Sequence, residues 1–188
     1  MPEILLFHHA QGLTAGVAAF ADELRDAGHV VHLPDLYEGR TFDALDEGVA
    51  HAQEVGFGVL LDRGRSAAEG LPDDLVYAGF SLGAMPAQAL AQNRPGARGA
   101  LLMHGCVPPG ELGGPWPAGV PAQLHAMADD GQGDVDVARE LAAAAPSVEL
   151  FLYPGAAHLF TDRSLAAYDE AAAALVLRRV LAFLAAVA

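Results

Sequence analysis

Continuous apolar runs alternate along the chain with segments whose apolar residues recur every three to four positions. Residues 4–7 are the first run, with no polar side chain among them, as expected of a strand buried on both faces. Gly12 interrupts the run, and Thr14 stands as N-cap to a helix with Val17, Phe20 and Leu24 on its apolar side. Gly28 closes that helix as a C′ glycine. Similar runs predict strands at 29–33, 75–78, 99–103, 122–126 and 148–152. Helical spacing predicts helices at about 43–55, 59–69, 82–92, 135–145 and 166–186. Pro34 ends the second strand, and Pro86 falls in the first turns of its helix, where a missing N–H costs little. Leu175, Arg178 and Arg179 are expected on the exposed or dipole-favoured part of the last helix. Residues 105–121 hold five prolines and five glycines and read as an irregular loop.

Strands that alternate with helices indicate βαβ units. The expected fold class is therefore α/β, with a mostly parallel central sheet of about six or more strands. Right-handed crossovers then put helices on both faces. Ligands of such sheets bind beyond the carboxyl ends of the strands, so residues just after strands are the candidates for chemistry.

Composition narrows the classes. A chain of 188 residues fits a single domain over 1–188. With 53 % hydrophobic and 18 % charged residues it is not a disordered chain. Ten basic against 24 acidic residues leave a net charge of −14, which repels nucleic acid and anionic membranes, so neither is an expected partner. All the basic residues are arginine, which removes lysine Schiff bases and P-loop lysines. Cys106 stands alone, cannot form an internal disulfide, and reads as a buried, inert thiol. No basic leader and no apolar run of ~18 residues is seen, so the expected location is cytoplasmic.

Gly79-Phe80-Ser81-Leu82-Gly83 is a G-x-S-x-G motif between a predicted strand and a predicted helix. That is the setting of a nucleophile elbow, in which the glycines permit a tight turn and the serine stands at a helix N-terminus. Such a serine needs a base and an orienting acid, in the chain order Ser, Asp or Glu, His. His158, after the sixth strand, is the candidate base; His104 and His125 come too early. The acid should follow the fifth strand, where Asp130 is preferred and Asp129 remains open. Asp134 and Asp136 read as cap residues of the next helix. The oxyanion donors should be the backbone N–H of Leu82 and one from the loop after the first strand, Ala10 or His9. His8 and His9 point to opposite faces and no metal-ligand spacing occurs, so no metal site is expected. His9 and His104 are candidates for lining the pocket.

These residues resemble the dienelactone hydrolase family of α/β-hydrolases over nearly the whole chain. The resemblance rests on 9–13 (His-Ala-Gln-Gly-Leu), on Gly28-His29-Val30 leading into Pro34-Asp35-Leu36-Tyr37, on the elbow at Ser81, on Met103-His104-Gly105, on Asp130, and on 155–160 (Gly-Ala-Ala-His-Leu-Phe). It implies a compact α/β-hydrolase fold, with Tyr37 and Phe160 as further candidates for lining the pocket. It implies hydrolysis of a small ester or lactone without a cofactor, by a monomer or homodimer. Well-known members use cysteine where this chain has Ser81, a glutamate in the first loop where it offers His9, and a substrate-clamping arginine where it has Asp162, beside Arg163. An aspartate there would repel a carboxylate substrate. The rival expectations are a ligand-binding protein of the same fold without turnover, and an acyltransferase.

Overall fold

The computed structural model describes all 188 residues. Strands β1 (Glu3–Phe7), β2 (Val30–His32), β3 (Val76–Phe80), β4 (Gly99–Met103), β5 (Ala122–Met127) and β6 (Val148–Tyr153) form one sheet in the order β2-β1-β3-β4-β5-β6. Every neighbouring pair is parallel. The helices are α1 (Ala15–Asp26), α2 (Leu45–Val55), α3 (Phe57–Ala67), α4 (Ala84–Asn93), α5 (Val135–Ala144) and α6 (Glu170–Ala186). The six-strand parallel sheet with helices on both sides is the fold class expected.

Alternation along each strand sorts the core into two layers. Leu5, Phe7, Tyr77 and Leu102 pack on one face with residues of α2, α3, α4 and α5. Ile4, Leu6, Val76 and Leu101 pack on the other with α1 and α6. Both faces are covered, which is why the central strands β3 and β4, and β1 after Glu3, carry no charged residue and do not alternate with polar ones.

The order of strand addition reverses between β1 and β3: β2 lies on one side of β1 and everything later lies on the other. Open α/β sheets bind ligands at such a switch point. Ser81 follows β3 and Ala10 follows β1, so both stand at this crevice.

The ends of several elements differ from the expectation. β3 runs on through Phe80, and a 3₁₀ turn at Ser81–Gly83 precedes α4. The elbow therefore belongs to the strand and a short tight turn rather than to a helix beginning at Leu82. The last helix starts at Glu170, not near 166, because the Asp169 side chain caps it by accepting the Ala172 N–H at 3.0 Å. Leu175 packs against the core, and Arg179 lies over the Phe151 ring at 4.3 Å; only Arg178 is exposed as expected. The apolar stripe of α6 faces the sheet, and the flat guanidinium of Arg179 covers an aromatic edge of it. No helix is long and apolar enough to cross a membrane.

Candidate active site

The turn after β3 is forced by close packing. A Cβ on Gly79 would clash with the Gly83 carbonyl oxygen, and one on Gly83 would clash with that of His8. Only glycine lets the turn press against β1, and the chain between them carries Ser81 in the left-handed region at φ 48°. A non-glycine residue there is strained by about 1 kcal/mol or more. Strain of this kind is concentrated here: His104 (φ 65°), Asp134 (φ 49°) and Leu159 (φ 59°) also have positive φ and flank the same crevice.

Ser81 Oγ lies 2.9 Å from His158 Nε2, and His158 Nδ1 lies 2.7 Å from Asp130 Oδ2. A carboxylate only accepts, so Nδ1–H donates to Asp130 and Nε2 is left to accept the Ser81 hydroxyl proton. Asp130 is buried, and its other oxygen accepts the Gln132 N–H at 2.9 Å. Burial works to raise its carboxyl, but the hydrogen bonds from His158, Gln132 and Gly133 outweigh it and hold it below the ordinary value. Gly133 leaves space for this: a Cβ there would meet Asp130 Oδ2 at 2.6 Å. Asp129, the alternative acid, is exposed and makes no side-chain hydrogen bond.

Leu82 sits in the first turn of the 3₁₀ segment, where an N–H has no intrahelical acceptor. In the facing loop the Ala10 N–H is taken by no acceptor in the protein, although Ala10 is 3 % exposed. Buried N–H groups without a partner are rare. The His9 N–H is also uncommitted, whereas Gln11 N–H is taken by His9 Nδ1 at 3.2 Å.

Ser81 opens into a cavity of about 370 Å³ whose wall includes Met85, His104, Cys106 and Gln132. Burial pushes the Cys106 thiol up to about 12, so it stays protonated and inert as expected. His104 is fully buried; its Nε2 lies 2.7 Å from Thr161 Oγ1 and its Nδ1 has no partner. Burial drives its pKa well below the usual histidine value, so the ring is neutral.

The sequence profile of the dienelactone hydrolase family matches residues 1–188. The chain belongs to the dienelactone hydrolase family. Solved structures share its fold at low identity. Dienelactone hydrolase from Anabaena variabilis is 19 % identical, with a TM-score of 0.68 over 98 % of this chain and 86 % of that one. A dienelactone hydrolase-like promiscuous phosphotriesterase from metagenomic libraries is 18 % identical, with a TM-score of 0.76 over 100 % and 87 %. Thermogutta terrifontis esterase 2, solved as its tabun-phosphoramylated form, is 18 % identical, with a TM-score of 0.63 over 99 % and 83 %. No curated protein sequence matches at a significant level.

Within this dienelactone hydrolase family member, four sequence expectations need correction. His9 does not line the cavity: it is buried and its Nε2 lies 2.8 Å from Asp162 Oδ2. Tyr37 is buried under α2, with its hydroxyl donating to the Gly48 carbonyl and its ring edge-on to His8. Phe160 is fully buried behind His104, on the α1/α6 side of the sheet. Asp162 does not face a substrate at all. It accepts from His9, from the Thr14 hydroxyl, and from both the N–H and hydroxyl of Ser164. Burial would raise its carboxyl, yet these hydrogen bonds hold it down to about 2. Gly16 makes the room, since a Cβ there would collide with Asp162 Oδ1. The neighbouring Arg163 is exposed and reaches only Glu23, at 3.7 Å.

Asp162 thus ties the loop after β1 to the loop carrying His158. Asp162→Ala would leave the His9, Thr14 and Ser164 donors without their acceptor. We expect a loss of about 3 kcal/mol, seen as a fall of roughly 6–12 °C in Tm. A change under ~1 kcal/mol by urea titration would show that water replaces the carboxylate there.

Segments 34–72 and 105–121 were expected to wall the pocket and contribute Phe57, Val107 and Glu111, whereas Ala84, Met85 and Gln132 went unrecognised in the sequence. Only Gln132 carried a signal, its position two residues after Asp130 in the loop beyond β5. Asp134 was expected as a helix cap; it stands at the N-cap position of α5 but its side chain accepts no hydrogen bond there. Its backbone is left-handed, at φ 49°, unlike the extended backbone of the capping residues Thr14 and Asp169. Asp136, the other expected cap, lies in the first turn and pairs with Arg139 at 2.9 Å.

Proposed function

We propose that this dienelactone hydrolase family member is a serine hydrolase of carboxylic esters or lactones. The observation that carries the assignment is the hydrogen-bonded chain from Ser81 through His158 to Asp130, with Ser81 and Leu82 opening on a cavity. Ser81 Oγ attacks the carbonyl carbon while its proton passes to His158 Nε2. The carbonyl π pair moves onto oxygen, where the N–H groups of Leu82 and Ala10 hold it. Collapse expels the alkoxide, which takes the proton back from His158. Water, deprotonated by the same nitrogen, then cleaves the acyl–serine bond. Asp130 keeps the imidazole in the Nδ1–H tautomer and stabilises its cation without being protonated itself. Only side chains, backbone N–H groups and water take part, so no cofactor is required.

A binding protein of the same fold is less well supported. It gains nothing from holding Ser81 at φ 48°, a conformation that costs stability and that glycine would adopt freely. Labelling with a fluorophosphonate tests the assignment. The folded protein should be modified once, at Ser81, and should release acid from short-chain esters. Folded protein that neither labels nor hydrolyses would overturn it. Acyl transfer uses the same residues and is read by adding a small alcohol: an acyltransferase forms the new ester in preference to the acid.

A further inference from the structure

We propose that the cavity beside Ser81 selects substrates by charge, taking esters or lactones that carry an ammonium group and disfavouring those that carry a carboxylate, with Glu111 and Asp134 as the selecting residues. The proposal rests on the serine-hydrolase reading of the same site.

The charged side chains in the cavity wall are Glu111 and Asp134, and no arginine joins them. The chain has no lysine that could reach in. Neither carboxylate has a cation within 4.0 Å, whereas most of the arginines are paired with acids elsewhere on the surface. Asp134 occupies a helix N-cap position, where aspartate ordinarily accepts a backbone N–H. It accepts none, and its backbone is held at φ 49°, which glycine or asparagine would adopt at less cost. The carboxylate is therefore kept at the cavity rather than used by the helix. Its charge is felt inside: it adds to burial in holding the Cys106 thiol protonated.

His104, fully buried and neutral, brings no positive charge to this wall. Phe57, half-exposed in the same wall, offers a ring face on which a cation rests favourably.

Matched esters test this. One series varies the acyl group as 4-aminobutyryl, butyryl and hemisuccinyl on the same leaving group. A second compares acetylcholine with its neutral isostere 3,3-dimethylbutyl acetate, which places the charge on the alcohol side. At low salt kcat/KM should fall from cationic to neutral to anionic, by about 10- to 100-fold overall, for two partly solvated charges near the substrate. Raising the salt to ~0.5 M should compress the ratio, because the carboxylates are exposed. Glu111→Gln with Asp134→Asn, isosteric and at exposed positions, should bring the cationic-to-anionic ratio within about threefold. Neutral esters hydrolysed at Ser81 with equal or better turnover of the anionic analogue would overturn charge selection and leave the hydrolase reading standing. A double variant that keeps the wild-type ratio would do the same. Failure to hydrolyse any ester would overturn both.

Discussion

Ser81→Ala is expected to lose hydrolysis by about 10⁴- to 10⁶-fold in kcat, the usual cost of removing a nucleophile that acts as a unit with its base. The serine cannot be bypassed easily, since water entering in its place would lack the attachment that positions the attack. Alanine is as strained as serine at φ 48°, so stability should change little. Ser81→Gly should lose activity to the same degree but gain roughly 1 kcal/mol of stability, because glycine adopts that conformation freely. Together the two variants separate chemistry from folding. Ser81→Ala retaining more than about a tenth of wild-type turnover, a barrier change below ~1.4 kcal/mol, would remove Ser81 from the role of nucleophile.

Acid should unfold this protein early, well above the pH at which carboxylates are protonated. His8 and His125 are buried, which lowers them to about 4 and about 3, and buried His104 is driven in the same direction. Their rings are already engaged as neutral groups. His8 donates Nδ1–H to the His9 carbonyl and accepts the Leu36 N–H on Nε2. His125 lies between Tyr153 and Gln123. Once unfolded, each ring takes up a proton near pH ~6.5, which the folded chain refuses until the pH reaches its depressed value. The unfolded state therefore binds more protons below ~6.5, and stability falls as the pH falls. At pH 5 His8 and His125 alone would cost about 2 kcal/mol each. A total of ~4 kcal/mol is a large share of the ~5–15 kcal/mol that holds a typical domain. Asp162 and Asp130, both depressed in the fold, add a further loss below pH ~4. Urea midpoints should drop steeply between pH 6.5 and 5; a flat profile there would mean that these rings are hydrated in the fold.

The parts of the molecule that were legible in the sequence are those that local pattern decides. All six strands and the elbow follow from apolar runs and glycine spacing, and the chain order usual for a nucleophile elbow then points to His158 and to Asp130 or Asp129. Which way a loop residue faces does not follow. Asp162 stands a few residues after His158 and suggested a substrate contact, yet its partner is His9, 153 residues away in sequence. Tyr37 and Phe160 lie within resemblance-bearing segments and are buried supports, not pocket walls. Motif identity marks that a residue matters without saying which side of the sheet it serves. Glu111 lies in the proline-rich loop, where no periodicity indicates a direction.

The pair between His9 and Asp162 spans nearly the whole chain, and that span bears on how the molecule is made. A ribosome delivers the serine long before its base: Ser81 emerges 77 residues ahead of His158. Contacts so far apart in sequence close late in folding. The loop after β1 is braced only when Asp162 has arrived, so that loop and the His158 ring are set in place by the same late segment. A nascent or truncated chain that ends before residue 158 therefore carries the Ser81 hydroxyl without the histidine it is hydrogen-bonded to in the finished fold.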